Sequence, residues 1–247
     1  MQNFKEYVNE ILKNHPGERV TSFSFEGEKY WLKQPELRIR GGLLTKIFKA
    51  NPKAAFDYEA LKCESLYAAG APVPQLVLRD ENFFVLKDGG TPVDEVLKSS
   101  DEASCVALIQ GYAAALAQLH SRGFIHGRPA LRDVLVKNGE MKFIDFENRG
   151  ERGDLQKAKM RDFLLFVYDL CREGLSEGLV RASICAYAAN GGQGVVQSAW
   201  AMVLALRPIY FIARLLPQKF KDLNALVRTF ELCLKIIEEN DDQRKTK

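Results

Sequence analysis

The spacing of hydrophobic residues predicts short strands around one long helix before residue 88 and mostly helices after it. The opening stretch MQNFKEYVNEILKNH has apolar residues at helical intervals, whereas VTSFSF (residues 20–25) and YWLKQ (30–34) are runs of β-forming residues around a polar turn. These patterns predict an amphipathic helix followed by a β-hairpin. By the same criteria we expect a helix over 56–69 and a second strand pair over 73–78 and 82–86.

Downstream of Asp88-Gly89-Gly90 the pattern becomes mostly helical. Gly-Gly followed by Thr-Pro is typical of a break between structural units. The apolar spacing then predicts helices over 106–120, 161–171, 198–215 (kinked at Pro208) and 223–237. The charged tail EENDDQRKTK predicts a frayed end. We therefore expect an α+β protein with a small strand-rich N-lobe (1–87) and a larger helical C-lobe (88–247).

Composition narrows the class of protein. The chain is 47% hydrophobic and 27% charged, as is usual for globular proteins, and its net charge of +3 is too small to indicate nucleic-acid binding. The five cysteines are scattered without a CxxC pair, so we expect free thiols in a reducing compartment rather than disulfides or a zinc site. No signal-peptide core opens the chain, and the longest uncharged run (182–206) is polar in its middle. These features predict a cytoplasmic protein, and a peripheral contact with a membrane stays open.

Lys33 stands at the centre of a strand-like run, which is an uncommon place for a charge. Glu59, on the helix that follows, is the carboxylate we expect to hold it. The alternative is an exposed lysine on an edge strand together with a solvated glutamate.

The segment LHSRGFIHGRPALRDVLVKNGEMKFIDFE (119–147) carries the other candidates. His126 follows an apolar pair and is expected to be a buried structural histidine. Asp145 lies at a predicted strand end, where a carboxylate is costly unless it meets a cation or a donor, and Asp133 is a second oxygen donor suited to Mg²⁺. A salt bridge to neighbouring Arg132 or Arg128 is the alternative for Asp133. Asp162, in the apolar stretch RDFLLFVYDL, is expected to anchor the backbone of this loop, with a helix N-cap as the alternative.

The order YWLK, EALKCESLYAAGAPVP, FFVLKDGG, LHSRGFIHG and FIDFE resembles bacterial small-molecule and sugar kinases of the protein-kinase-like fold. It is most similar to lipopolysaccharide-core kinases, including the 3-deoxy-D-manno-octulosonic acid kinases, over residues 20 to 170. The basic segment RIRGGLLTKIFK (38–49) also resembles the double-glycine segment that follows the lysine strand there.

The resemblance implies a two-lobed kinase fold with ATP and Mg²⁺ as cofactors. Lys33 would contact the nucleotide phosphates and be held by Glu59, while Asp133 and Asp145 would bind Mg²⁺. His126, Arg128, Asp133 and Asp145 would form the catalytic region. The acceptor would be an anionic sugar or lipid-linked molecule at the cytoplasmic face of the inner membrane.

Two departures from the family pattern affect activity. The family's catalytic aspartate falls at Arg128, and a guanidinium cannot accept a proton. Base assistance contributes about 10²–10⁴-fold, whereas phosphoryl transfer depends mainly on positioning and charge neutralisation. No G-x-G-x-x-G precedes Lys33. A weakened phosphotransferase and a pseudokinase that acts as a binding or regulatory module are therefore both expected outcomes; a third has Asp133 or Glu147 replacing the missing base.

Two further stretches, one basic and one rich in aromatic and basic residues, can each be interpreted in two ways. The residues Arg38, Arg40, Lys46, Lys49 and Lys53 form either a solvated loop or a site for a phosphorylated or acidic sugar or for anionic lipid head groups. SAWAMVLALRPIYFIARLLPQKFK (198–221) mixes aromatic and basic residues and forms either core helices or a membrane-surface element.

Overall fold

The computed structural model describes residues 3–35, 52–146, 153–216 and 219–245. The protein is a mixed α+β structure, 62% helical and 15% strand, with a small antiparallel sheet region and a helical part, so the expected α+β class is confirmed. The chain forms two compact units, Met1–Gly90 with Lys142–Ile144, and Thr91–Met141 with Asp145–Lys247. The lobe limits 1–87 and 88–247 stay a prediction.

The first unit contains the N-terminal helix, an antiparallel sheet and one long helix. Its elements are α1 (Phe4–Asn14), β1 (Val20–Phe25), β2 (Glu28–Lys33), α2 (Pro52–Ala68), β3 (Leu76–Asp80) and β4 (Phe83–Lys87). The strand order is β1-β2-β4-β3. Helix α1 starts at a reciprocal capping box between Asn3 and Glu6, and the β1–β2 turn is made by Glu26 and Gly27, both with positive φ. The predicted helix and hairpin are therefore confirmed.

Alternation along the strands separates the two faces of this sheet. Phe83 and Val85 of β4 pack with Leu32 and Val8 of α1 in one buried cluster, whereas the intervening Phe84 packs with α2 in another. Side chains of a strand alternate between faces. Lys33 follows Leu32 and therefore points to the α2 face.

The second unit is mostly helical. Its elements are β5 (Thr91–Pro92), α3 (Val93–Lys98), α4 (Glu102–Ser121), a 3₁₀ turn (Leu131–Asp133), β6 (Val134–Lys137), β7 (Glu140–Phe143, whose end belongs to the first unit), α5 (Leu155–Arg172), α6 (Glu177–Tyr187), a π turn (Ala188–Gly192), α7 (Gln193–Ala205), α8 (Arg207–Leu215) and α9 (Lys221–Lys245). The short sheet has the order β5-β6-β7. Its core is built by aromatic residues: Tyr112 of α4 meets Phe166 of α5 edge to face, and Phe163 packs on Tyr187 of α6.

Several boundaries correct the sequence prediction. Helices α3 and α6 were not expected, and strand β7 ends at Phe143, two residues before Asp145. The tail that was expected to be frayed is helical over its described residues, because α9 continues to Lys245. Arg181 of α6 donates two hydrogen bonds to Glu239, which tie the end of α9 to the core.

In the described part of the chain, no single helix has the length and apolar character to cross a bilayer. The helices Glu177–Ala205 and Arg207–Leu215 pass this test only as a pair, which is bent by 58°.

Candidate functional site

A buried carboxylate holds the loop that follows α4. Asp162, inside α5 and 1% exposed, accepts hydrogen bonds from the backbone N–H of His126 (2.7 Å) and of Gly127 (3.0 Å to Oδ1). Hydrogen bonds from backbone N–H groups are the usual way a buried carboxylate is stabilised. The predicted role of Asp162 as loop anchor is confirmed. Its alternative as an N-cap is wrong, because Asp154 caps α5.

A second histidine completes this anchor from the helix before the loop. His120, at the end of α4 and 2% exposed, lies with Nε2 3.3 Å from Asp162 Oδ2 and Nδ1 2.6 Å from the hydroxyl of Tyr187. Burial raises the pKa of Tyr187, and the nearby Asp162 carboxylate adds to this rise. The tyrosine therefore stays a neutral donor. Helices α4, α5 and α6 are joined by this polar chain inside an apolar core.

His126 is fully buried, as the sequence predicts. Its ring stacks on Phe146, with ring centroids 4.7 Å apart. The backbone N–H of Arg128 lies 3.4 Å from Nδ1, which makes Nδ1 the acceptor and leaves the ring proton on Nε2. His126 thus shapes the turn, while the side chain of Arg128 is exposed.

Asp133 and Asp145 act on each other electrostatically. Asp133 closes the 3₁₀ turn and is 5% exposed, whereas Asp145 is exposed and has a positive φ of 57°. Burial and, to a smaller extent, the Asp145 carboxylate together raise the pKa of Asp133 to about 7, against an opposing effect of Arg132 and Arg128. Arg132 also lies 3.6 Å from Asp133, so the predicted salt bridge is present.

Such a carboxylate pair is chemically suited to a divalent cation. A cation between the two groups would remove both the repulsion and the cost of burying a charge. Within the described residues, no group of three or more His, Cys, Asp and Glu side chains is placed to hold a metal ion. Two protein carboxylates fit Mg²⁺, which usually keeps several waters and binds substrate phosphates.

In the first unit, Lys33 and Glu59 form an ion pair. Lys33 Nζ lies 2.5 Å from Glu59 Oε1 and 5.9 Å from the centre of the Phe84 ring. The two side chains are 15% and 26% exposed. Strand β2 lies between β1 and β4, so the alternative of an exposed lysine on an edge strand is wrong. The pair holds a half-buried ammonium group beside the long helix.

A cavity of about 470 Å³ adjoins the anchored loop in the second unit. It is lined by three arginines, four carboxylates and a tyrosine, with apolar residues between them: Asp94, Arg128, Pro129, Ala130, Leu131, Arg132, Leu165, Tyr168, Asp169, Arg172, Glu173 and Asp222. The Asp169 carboxylate accepts a hydrogen bond from the Leu131 N–H (2.8 Å), and burial raises its pKa. Among the residues that the structure describes, Asp94 Oδ1 has no hydrogen-bond partner, and this atom is buried.

Sequence reasoning missed Asp169 and Asp94. Asp169 carried a usable signal, because it follows Asp162 by two helical turns in the same apolar stretch and therefore lies on the same helix face. A carboxylate there needs buried donors just as Asp162 does. Asp94 carried no such signal.

Comparison with known proteins places the chain in a family. No protein-family model matches it. The chain is 34% identical over 238 residues to an uncharacterized protein of Haemophilus influenzae strain Rd, and the match covers 94% of this chain and 96% of the relative. The chain belongs to the family of that protein. Because the match is nearly full-length, both units belong to this family. The relative is uncharacterized, so it assigns no activity to the family.

Part of the predicted basic segment lies outside the described residues. This applies to Arg38, Arg40, Lys46 and Lys49, and also to Glu147. Lys53, in the first turn of α2, is exposed.

Proposed function

We propose that the chain is an ATP- and Mg²⁺-dependent phosphotransferase with a two-lobed protein-kinase-like fold. Its acceptor is a lipopolysaccharide-core sugar or a similar small anionic molecule. The observation that carries this proposal is the pair of hydrogen bonds that the Asp162 carboxylate accepts from the backbone N–H groups of His126 and Gly127. It fixes a loop whose next residues include Asp133, a buried carboxylate coupled to Asp145.

In this proposal each candidate residue has a separate task. Asp133 and Asp145 hold Mg²⁺, which supplies neutralisation of phosphate charge when bound. Lys33 contributes an ammonium group to the nucleotide phosphates, and Glu59 keeps that group in a single position. Preorganised charges of this kind are the main source of rate enhancement in phosphoryl transfer.

The acceptor binds in the cavity beside the loop. Arg128 and Arg132 are exposed at its edge and suit a carboxylate or phosphate of the acceptor, since guanidinium groups bind such anions in a bidentate way. Asp94 and Asp169 are acceptors for sugar hydroxyl groups. The unpartnered Oδ1 of Asp94 supports this assignment, because a buried acceptor without a donor is unfavourable.

The first test is nucleotide binding, followed as thermal stabilisation of the full-length chain. Mg·ATP at 100 times its Kd stabilises a protein by about 2.7 kcal/mol. We expect this shift for the wild-type protein and its loss in Asp145→Ala. Asp80→Ala, which changes an exposed aspartate at the end of β3, is the matched control. Absence of any shift in the wild-type protein contradicts the proposal.

The second test is turnover with lipopolysaccharide-core sugars as acceptors. ATP consumption that depends on the acceptor and disappears in Asp145→Ala supports a phosphotransferase. Binding without turnover, with every sugar of this class offered, supports the second candidate function: a pseudokinase that acts as a binding or regulatory module.

Arg128 is the observation that favours this second candidate. Arg128 occupies the position of the catalytic aspartate in the kinases that the sequence resembles, and a guanidinium cannot act as a base. If the wild-type protein turns over ATP, the substitution Arg128→Asp tests what Arg128 does in that enzyme. A gain in turnover indicates a degenerate enzyme, whereas a loss indicates that Arg128 itself assists transfer.

A further inference from the structure

Helix α8 (Arg207–Leu215) presents a large apolar face to solvent. Its residues Tyr210 and Ala213 face inward and are 6% exposed. The opposite side and the following turn carry six exposed large hydrophobic residues, here called the α8 surface: Ile209 (54%), Phe211 (51%), Ile212 (64%), Leu215 (86%), Leu216 (50%) and Phe220 (73%). The expected core role of residues 198–221 therefore holds for the buried face of α7 and for Tyr210 and Ala213 of α8, whereas the other side of α8 is exposed.

This concentration is unusual for a protein surface. Elsewhere in the described residues the exposed large hydrophobics are scattered through the chain: Val20, Leu61, Tyr67, Leu155 and Leu204. Single exposed apolar residues are ordinary, but a contiguous exposed patch marks a binding surface. The α8 surface is therefore a candidate for a partner with an apolar layer.

The charged side chains of the segment that carries this patch are all positive, although the exposed Glu231 of α9 accepts a hydrogen bond from Tyr210. The segment RPIYFIARLLPQKFK (207–221) contains two arginines and two lysines and no acidic residue. Arg207, Arg214 and Lys219 are exposed, and the guanidinium of Arg207 lies 5.8 Å from the centre of the Phe211 ring. Lys221 forms an ion pair with Glu173 and therefore does not belong to this set of exposed cations. An apolar face edged by exposed cations complements a layer that is apolar inside and anionic at its rim.

We infer that the α8 surface docks the protein on an anionic phospholipid bilayer. The apolar residues enter the boundary between head groups and acyl chains, and the cations meet lipid phosphates. Helix α8 has nine residues, so it lies in the plane of the interface.

A second copy of the chain fits this surface less well. A twofold interface brings the same patch of both subunits together. Arg207, Arg214 and Lys219 of one copy would then face the same three cations of the other, and like charges across an interface are costly. A bilayer with anionic head groups has no such conflict.

The test is flotation of the full-length protein with lipid vesicles. We expect binding to phosphatidylcholine vesicles that contain phosphatidylglycerol, little binding to phosphatidylcholine alone, and weaker binding at high salt. The double variant Phe211→Ser/Leu215→Ser should bind at least about tenfold more weakly, because it removes two large apolar side chains that the bilayer would bury. Leu61→Ser, at a 54%-exposed leucine of α2, is the matched control and should bind as the wild type does.

Three results would overturn the inference. These are no binding of the wild-type protein to anionic vesicles, undiminished binding of the double variant, and a stable dimer in light scattering that the double variant dissociates. The inference is independent of the proposed phosphotransferase: loss of nucleotide binding leaves vesicle binding unchanged, and the double variant should retain the thermal shift with Mg·ATP.

Discussion

The substitution Asp162→Asn should loosen the loop that carries the proposed active site. The carboxylate accepts from two backbone N–H groups and lies 3.3 Å from the ring of His120, at 1% exposure. Hydrogen bonds to a charged group contribute about 1.5–3 kcal/mol each, and a buried donor left without a partner costs about 1–3 kcal/mol. Asparagine keeps one acceptor oxygen. We therefore expect a loss of roughly 2–4 kcal/mol, a large part of the ~5–15 kcal/mol typical of a folded protein.

Two measurements check this prediction. Urea unfolding followed by circular dichroism gives the change in stability, and hydrogen exchange of a peptide covering residues 124–131 reports the loop amides. The matched control is Asp154→Asn on the same helix. Asp154 also accepts from two backbone N–H groups, but it is exposed and caps α5, and asparagine caps a helix as well as aspartate does.

The reasoning would be refuted by a stability loss below about 1 kcal/mol, which is the size expected of an ordinary single hydrogen bond. It would be refuted equally by a loss that matches the control, or by loop amides that exchange at the wild-type rate.

Three further predictions concern packing, titration and the end of α9. Gly192→Ala should destabilise by about 1–3 kcal/mol, because a Cβ there would lie against the ring of the tyrosine that ends α6 and 2.6 Å from its carbonyl oxygen. Gly194→Ala, in open space in α7, should be neutral or stabilising by up to about 1 kcal/mol in the same urea assay. In EDTA, the raised pKa of Asp133 means that its contribution to stability is complete below pH 3.8 and is lost as pH rises to about 7. Asp133→Asn should therefore exceed the wild-type stability by roughly 4 kcal/mol at pH 8 and by less than about 1 kcal/mol at pH 4; equal pH profiles would contradict this. Arg181→Ala should speed hydrogen exchange in residues 236–245, because the ion pair between Arg181 and Glu239 holds the end of α9. The global stability should fall by less than about 1 kcal/mol. An unchanged exchange rate would show that this ion pair does not order the end of α9.

Hydrophobic periodicity was sufficient for most elements of the fold. The helix α1 was predictable from its apolar face, which packs on the sheet, and β4 from its run of β-forming residues, which are buried on both faces of the sheet. The end of α9 was not predicted, and its contact with the rest of the protein is an ion pair between Arg181 and Glu239, which are far apart in the sequence. Local composition carries no information about such a partner.

The candidate site was predictable where a charge stood in an apolar pattern. A charged side chain in an apolar element needs a partner of opposite charge or a hydrogen-bond donor or acceptor. Lys33 forms an ion pair with Glu59, and Asp162 accepts a hydrogen bond from the His126 N–H. The identity of those partners was partly accessible: Glu59 was expected, whereas the contact of Asp162 with His120 was not. The coupling between Asp133 and Asp145 depends on burial, which a sequence does not reveal.

Calorimetry of Mg·ATP binding tests the central claim most directly. The account predicts that the wild-type protein binds Mg·ATP, and that Lys33→Met and Asp145→Asn each weaken binding at least about tenfold. Lys29→Met, at an exposed lysine of the same strand, should bind as the wild type does. Absence of binding by the wild-type protein, or two variants that bind Mg·ATP normally, would contradict a nucleotide site built from these residues.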